Sequence, residues 1–232
     1  MENTTVSNSK TYGLNAVYGD SEMTLNNNKF TNNDAPVIID PSYVGLINNT
    51  NDYKGNAHDY IMVKPYTAPI SKDFTWHKVN VPYQVLSTSV KQLRVMALLT
   101  IQAGVVIEFG SEVFLKIDEN GGGLKAVGTA SDPIIFTGVS KVAQGWKGIN
   151  IESKHAQNEI AFAEIHYSGM NAPQGNVWLW YDSFLHIHDV KFKNIHGCGI
   201  NHRLASGGVM NSNLQIGDNI TVESGGCLER SW

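Results

Sequence analysis

The chain has 232 residues, 42% of them hydrophobic and only 16% charged, with a formal net charge of −4. Its 23 Asn and 22 Gly together fill 45 positions, a surplus that excludes a helical bundle, and the apolar content excludes a disordered chain. A pI near 6.0 gives no footprint for nucleic acid or an anionic membrane, and no apolar run approaches the roughly 20 residues of a membrane span.

In chain order, the first residues are polar and lack the apolar centre of a signal peptide. Either the protein is intracellular, or the chain is an excerpt of a longer one. Residues 12–40 read as an apolar coil with no cap before it, which favours the excerpt. Residues 64–73, with Pro65 and Pro69, read as a connection. Beyond them come short alternating runs at 99–101, 113–117, 134–136 and 149–151, which predict strands. Gly and Asn lie between, where a sharp turn needs φ above zero or a side chain that bonds its own backbone. No amphipathic helix of ten or more residues is evident.

The chain also resembles itself. At a shift of 162, Leu25, Lys29, Phe30, Asn32 and Ile38 meet Ile187, Lys191, Phe192, Asn194 and Ile200. A shift of 25 carries Ile160, Phe162, Glu164, Ile165 and Tyr167 onto Leu185, Ile187, Asp189, Val190 and Phe192. A shift of 29 then carries Leu185, Ile187 and Asp189 onto Leu214, Ile216 and Asp218. An imperfect repeat of about 20 to 30 residues, built of short strands and Asn/Gly turns, predicts an all-β solenoid.

Three phrases carry a family resemblance: LTIQAGVVIEF at 99–109, GLKAVGTASDPIIFT at 123–137 and WKGI at 146–149. They resemble the coils of right-handed parallel β-helix repeat proteins, common among large secreted or surface proteins of bacteria. In that family a Trp, a Pro-Tyr pair and an LTIxxG phrase open a fresh run of coils; Trp76, Pro82-Tyr83 and Leu99 stand in that order. The resemblance implies two consecutive arrays: closing coils over 1–63, the connection at 64–73, and a second array over 74–232. It implies a secreted or cell-surface location, and it carries no chemistry of its own.

Candidate sites follow from the alignment. Glu164, Asp189 and Asp218 fall at equivalent positions of successive coils, which stack about 4.8 Å apart. Neighbouring carboxylates at that spacing approach the separation used by retaining glycosidases, so Glu164 and Asp189 are the acid and base candidates, with Asp218 behind them. Turn chemistry explains the same residues, because Asn27 takes that place earlier in the chain.

His186 and His188 alternate with Leu185 and Ile187, so both imidazoles are expected on the outer face. The shifts of 25 and 29 place Ala161 and Ala163, then Gln215 and Gly217, against them, so no third ligand and no metal are expected. Inward Val177 and Leu179 leave Trp178 and Trp180 outside, near those histidines, as a platform for sugar rings; the alternatives are the opposite register, which would bury both in the core, and cover by a loop or the neighbouring array. Cys198 and Cys227, 29 apart, fall on adjacent coils; stacked free thiols are the expectation, with a bridge open in an oxidising compartment.

Polysaccharide lyases, galacturonases and epimerases of this fold carry dense Asp with Arg, Lys or His. The three Arg here, Arg94, Arg203 and Arg230, have no such cluster around them, and the run 197–202 has His202 without paired aspartates. The expected function is a non-catalytic scaffold for adhesion or contact with a polysaccharide or surface glycan. The alternative is a carbohydrate-active enzyme using Glu164 and Asp189. No cofactor, nucleic-acid partner or membrane span is expected.

Overall fold

A computed structural model describes residues 1–17, 23–65, 68–86, 89–170, 175–180, 182–202, 213–223 and 226–231. Arg203 and Tyr181 lie outside them. The fold is a parallel β-solenoid of about 8 turns, all-β with 3% helix. No helix is long and apolar enough to cross a membrane.

From residue 74 onward each coil visits three faces in turn. Face 1 stacks Phe74–Trp76, Leu98–Ile101, Gly123–Val127, the first half of Glu159–His166, the first half of Leu185–Lys193, and Leu214–Ile216. Face 2 stacks Tyr12–Ala16, Ala35–Ile39, Ile61–Val63, Tyr83–Val85, Val106–Phe109, Ile134–Gly138, the second halves of the same two long strands, and Thr221–Val222. Face 3 stacks Gln92–Val95, Phe114–Ile117, Gly148–Ile151, Val177–Leu179, Ile200–His202 and Glu229–Ser231. Thr5–Ser7 and Lys29–Thr31 form a separate pair near the N-terminus.

Every registered strand pair is parallel, so like residues stack on like. On the inner side of face 2, Val37, Ile61, Tyr83, Ile107, Phe136, Ile165 and Phe192 form one column. None is more than 1% exposed. Burying each such side chain stabilises the fold by about 1.5–3 kcal/mol, and the column continues as long as the register does. Phe109 and Trp146 stack at 4.3 Å inside the coil, and the Trp146 Nε1–H donates to the His166 carbonyl at 2.8 Å.

Face 2 runs unbroken through the expected connection: Ile61–Val63 pairs with Tyr83–Val85, and Ile70 bridges to Val95 at the head of face 3. The two expected arrays therefore share one continuous sheet. The short 3-10 helix Pro41–Leu46 packs beside Phe74–Trp76, with Asp40 capping it through Ser42 N at 2.8 Å.

The corners use the Asn surplus. Asn3, Asn8, Asn27, Asn32, Asn194 and Asn219 all have positive φ, as do Phe162, Tyr167 and Asp189. Asn32 and Asn194 thus share a conformation, and Phe30 and Phe192 are both fully buried. They do not share a sheet, however, because Lys29–Thr31 belongs to the separate pair and Leu185–Lys193 to faces 1 and 2. The 162-residue similarity reports a common strand-and-corner grammar rather than one face. Buried Asn side chains tie coils together as well: Asn28 donates to Asn51 Oδ1 at 3.0 Å, and Asn33 to Asn56 Oδ1 at 3.0 Å.

Candidate functional site

The long strands Glu159–His166 and Leu185–Lys193 each bend sharply at one left-handed residue, Phe162 (φ 45°) and Asp189 (φ 50°). The bend reverses the phase of the alternation. In the second strand Leu185 and Ile187 point inward before it, Val190 and Phe192 after it. Stacking bend on bend fixes the register: Glu159 lies beside His186, Ile160 beside Ile187, Ala163 beside Val190 and Glu164 beside Lys191.

The true step is therefore 27 residues, from Glu159 to His186, and not 25. The carboxylate ladder expected from the sequence does not form. Glu164 faces Lys191, and Asp189 shares its bend with Phe162 below and Asn219 (φ 58°) above. Asp218 is exposed in the next coil, beside the corner residue Asn219, and its carbonyl accepts the Asp189 amide at 2.9 Å.

Each of the two leading carboxylates already has partners. Glu164 Oε2 accepts from Lys193 Nζ at 3.0 Å and meets His166 Nε2 at 3.0 Å. Partial burial pushes the Glu164 carboxyl up, but the Lys193 bond and charge and the His166 contact hold it below its ordinary range. Burial lowers the His166 imidazole, and Glu164 offsets only part of this. Asp189 Oδ2 lies 2.7 Å from His188 Nδ1, and its Oδ1 accepts from Asn219 Nδ2 at 2.7 Å. That histidine contact raises His188 and lowers Asp189 relative to their ordinary values.

The corrected register creates a constellation that a step of 25 conceals. His186 Nδ1 lies 3.4 Å from Glu159 Oε1, and His188 Nε2 lies 3.3 Å from the same oxygen. One ligand atom from each of Glu159, His186 and His188 falls within 4.8 Å of the others. The expectation that the pair lacks a third candidate ligand is thus corrected: the two histidines project outward as read, and Glu159 of the neighbouring coil supplies a carboxylate. Ala161 and Gly217, beside His188, leave its outer edge uncrowded. Any added Cβ at Gly217 would meet His188 Cβ at 2.7 Å, so that position accepts only glycine without a shift.

The tryptophans sit elsewhere. Val177–Leu179 belongs to face 3, whereas His186 and His188 are on face 1, so the two pairs do not adjoin. Val177 and Leu179 are fully buried and Trp178 is on the outer side, as the alternation predicts, yet Trp178 is only 4% exposed. Phe114, two coils earlier, packs on it at 5.7 Å. With its amide oxygen turned toward the indoles, Asn150 accepts from Trp178 Nε1 at 2.7 Å and Trp180 Nε1 at 3.3 Å, and its NH2 donates to Glu152 Oε1 at 2.8 Å. Trp180 remains half-buried. An open two-indole platform is therefore not formed.

Beside these indoles, face 3 carries the ion pairs Arg94–Asp118 at 2.7 Å and Lys116–Glu152 at 2.8 Å. A further cleft lies elsewhere again, between the 3-10 helix and Phe74–Trp76. It holds about 570 Å³ and is lined by Tyr43, Leu46, Lys72, Asp73, Phe74 and His77. Sequence reasoning missed it because Tyr43 comes from the 3-10 turn, outside any strand alternation, and meets Phe74 only through the fold.

Cys198 and Cys227 are joined as a disulfide between adjacent coils, where stacked free thiols were expected. Their Cα atoms are 4.4 Å apart, closer than the assumed coil spacing and within the range a disulfide spans.

No family model, curated protein or solved structure matches the chain. What stands is the architecture, that of a parallel β-helix repeat protein.

Proposed function

We propose that the chain is a non-catalytic segment of a secreted or cell-surface bacterial β-solenoid protein, a rigid elongated support for adhesion or glycan contact. The observation that carries this reading is the state of the carboxylates. Glu164 is held by Lys193 and His166, and Asp189 by His188 and Asn219, which is the role of corner and ladder residues rather than of a free acid and base. The Cys198–Cys227 bridge supports an oxidising compartment, where such bonds persist.

For glycan contact, the cleft over Tyr43 and Phe74 is better suited than the covered Trp178. It is lined by the half-buried Tyr43 and Phe74 together with Lys72, Asp73 and His77, and its volume suits one or two sugar rings. A glycan array probed with the wild-type chain, Tyr43→Ala and Trp180→Ala tests this directly. Binding that falls at least tenfold in Tyr43→Ala and persists in Trp180→Ala supports the cleft. Binding to no glycan at all removes the saccharide part and leaves support alone.

The rival reading is a polysaccharide lyase or glycoside hydrolase. In its favour, Glu164, Asp189 and Lys191 all line one shallow cleft of about 200 Å³. Release of reducing or unsaturated ends from a polysaccharide panel, lost in Glu164→Gln, would overturn the non-catalytic reading.

A further inference from the structure

We propose that Glu159, His186 and His188 form a binding site for one divalent transition-metal ion of the zinc class, pinning two adjacent coils on the outer side of face 1. The chemistry of the donors is that of a two-histidine, one-carboxylate set, which suits zinc and its neighbours and not calcium or magnesium. The spacing fits too. A tetrahedral ion with bonds of about 2.05 Å separates its ligand atoms by about 3.3 Å. The two histidine nitrogens lie 3.4 and 3.3 Å from Glu159 Oε1, so the carboxylate already stands at the distance a shared ion requires.

The surroundings are built as a metal site's are. His188 turns Nδ1 to Asp189 at 2.7 Å, which leaves Nε2 as the nitrogen that faces Glu159 and His186. Asp189 is itself held by Asn219 Nδ2 at 2.7 Å, so the chain Asn219–Asp189–His188 fixes the ring. A carboxylate behind a ligating imidazole orients it and raises its basicity. The Phe162 ring meets the His188 ring edge-on at 5.8 Å, which limits its swing from the other side. Glu159 is placed by its neighbour Asn158, a fully buried side chain bonded to three successive coils. The three ligands remain between a fifth and two-fifths exposed, so an ion can reach them from solvent. With three protein ligands, the fourth position is open to water or to an oxygen of a partner molecule.

The test uses the whole chain and Zn²⁺ alone. Isothermal titration and equilibrium dialysis should show one Zn²⁺ per chain, and Co²⁺ substitution should give the intense visible absorption of a tetrahedral site. The double variant His186→Asn, His188→Gln should lose the bound ion. Asp189→Asn, which touches no ion, should weaken binding about 10- to 100-fold at unchanged stoichiometry. His58→Ala, at an exposed histidine paired with Asp34, should leave it unchanged. All three ligand side chains lie outside the core, so far-UV circular dichroism should match the wild type in each variant. A wild-type chain that retains no Zn²⁺ on dialysis overturns the proposal. So does stoichiometric binding that survives in the folded double variant.

Discussion

Asn158 is the most informative single position to change. It is fully buried and stands just before the strand Glu159–His166. Its Oδ1 accepts the Leu124 amide at 2.8 Å from the coil below. Its Nδ2 donates to Ser153 Oγ at 2.8 Å within its own coil and to the Phe184 carbonyl at 3.0 Å in the coil above. Asn158→Ala strips all of these at once. The Leu124 N–H and the Phe184 carbonyl lose their side-chain partner, and an orphaned buried group costs about 1–3 kcal/mol. Two such groups give about 2–6 kcal/mol, and water entering the vacated space moves the result toward about 3 kcal/mol. Urea unfolding followed by tryptophan fluorescence and by circular dichroism measures it. Asn26→Ala, whose side chain donates at the surface to Glu2 Oε1, should change stability by about 0.5 kcal/mol or less. A loss below about 1 kcal/mol for Asn158→Ala, with an unchanged denaturant slope, would refute the staple argument.

Two further outcomes follow from the faces. Burial pushes the Asp118 carboxyl up, but the Arg94 and Asn120 hydrogen bonds and the Arg94 charge more than offset this and hold it well below the usual carboxylate range. Its folded value is thus depressed below the unfolded value of about 3.9. The stability it contributes is complete above that value and drains away as pH falls below it toward the folded one. Asp118 is 2% exposed and Arg94 a third exposed, so Asp118→Asn should cost about 1.5 kcal/mol at pH 7 and flatten the acid limb of a urea-midpoint series. Parallel acid limbs in the two proteins would count against it. Opening the Cys198–Cys227 loop of 29 residues by Cys198→Ser should cost about 3.5 kcal/mol by loop-closure entropy. Mass analysis after alkylation without reductant should find neither thiol modified, and two modified cysteines would contradict the bridge.

The fold was legible because stacking repeats local chemistry. Alternation placed Leu185, Ile187, Val177 and Leu179 inward, and the recurrence of Asn and Gly marked the corners. The candidate metal centre was not legible, for a definite reason. A slip of one residue turns a strand inside out, but a slip of two preserves every inward and outward assignment. Steps of 25 and 27 are therefore equivalent to a hydrophobic pattern, and only the bend distinguishes them. The signal was present, since aligning Ala163-Glu164-Ile165 with Val190-Lys191-Phe192 requires the phase reversal at Asp189. For Trp178, orientation was readable and cover was an open alternative, but its source was not readable, because Phe114 and Asn150 arrive from other coils. The Cys198–Cys227 column was readable, whereas the bond depended on how closely the coils approach.

The bends at Phe162, Asp189 and Asn219 also set what this chain can tolerate. Lys125 meets Glu159 after 34 residues and Glu159 meets His186 after 27, yet both pairs sit squarely in the same face. Coil length is thus free to vary, with the excess looped outward, provided each strand is re-indexed at its corner. The left-handed residues are the fold's reading frame. An insertion between corners is absorbed as loop, whereas one residue added within 159–166 or 185–193 would shift every outward side chain downstream and dismantle any site assembled across coils.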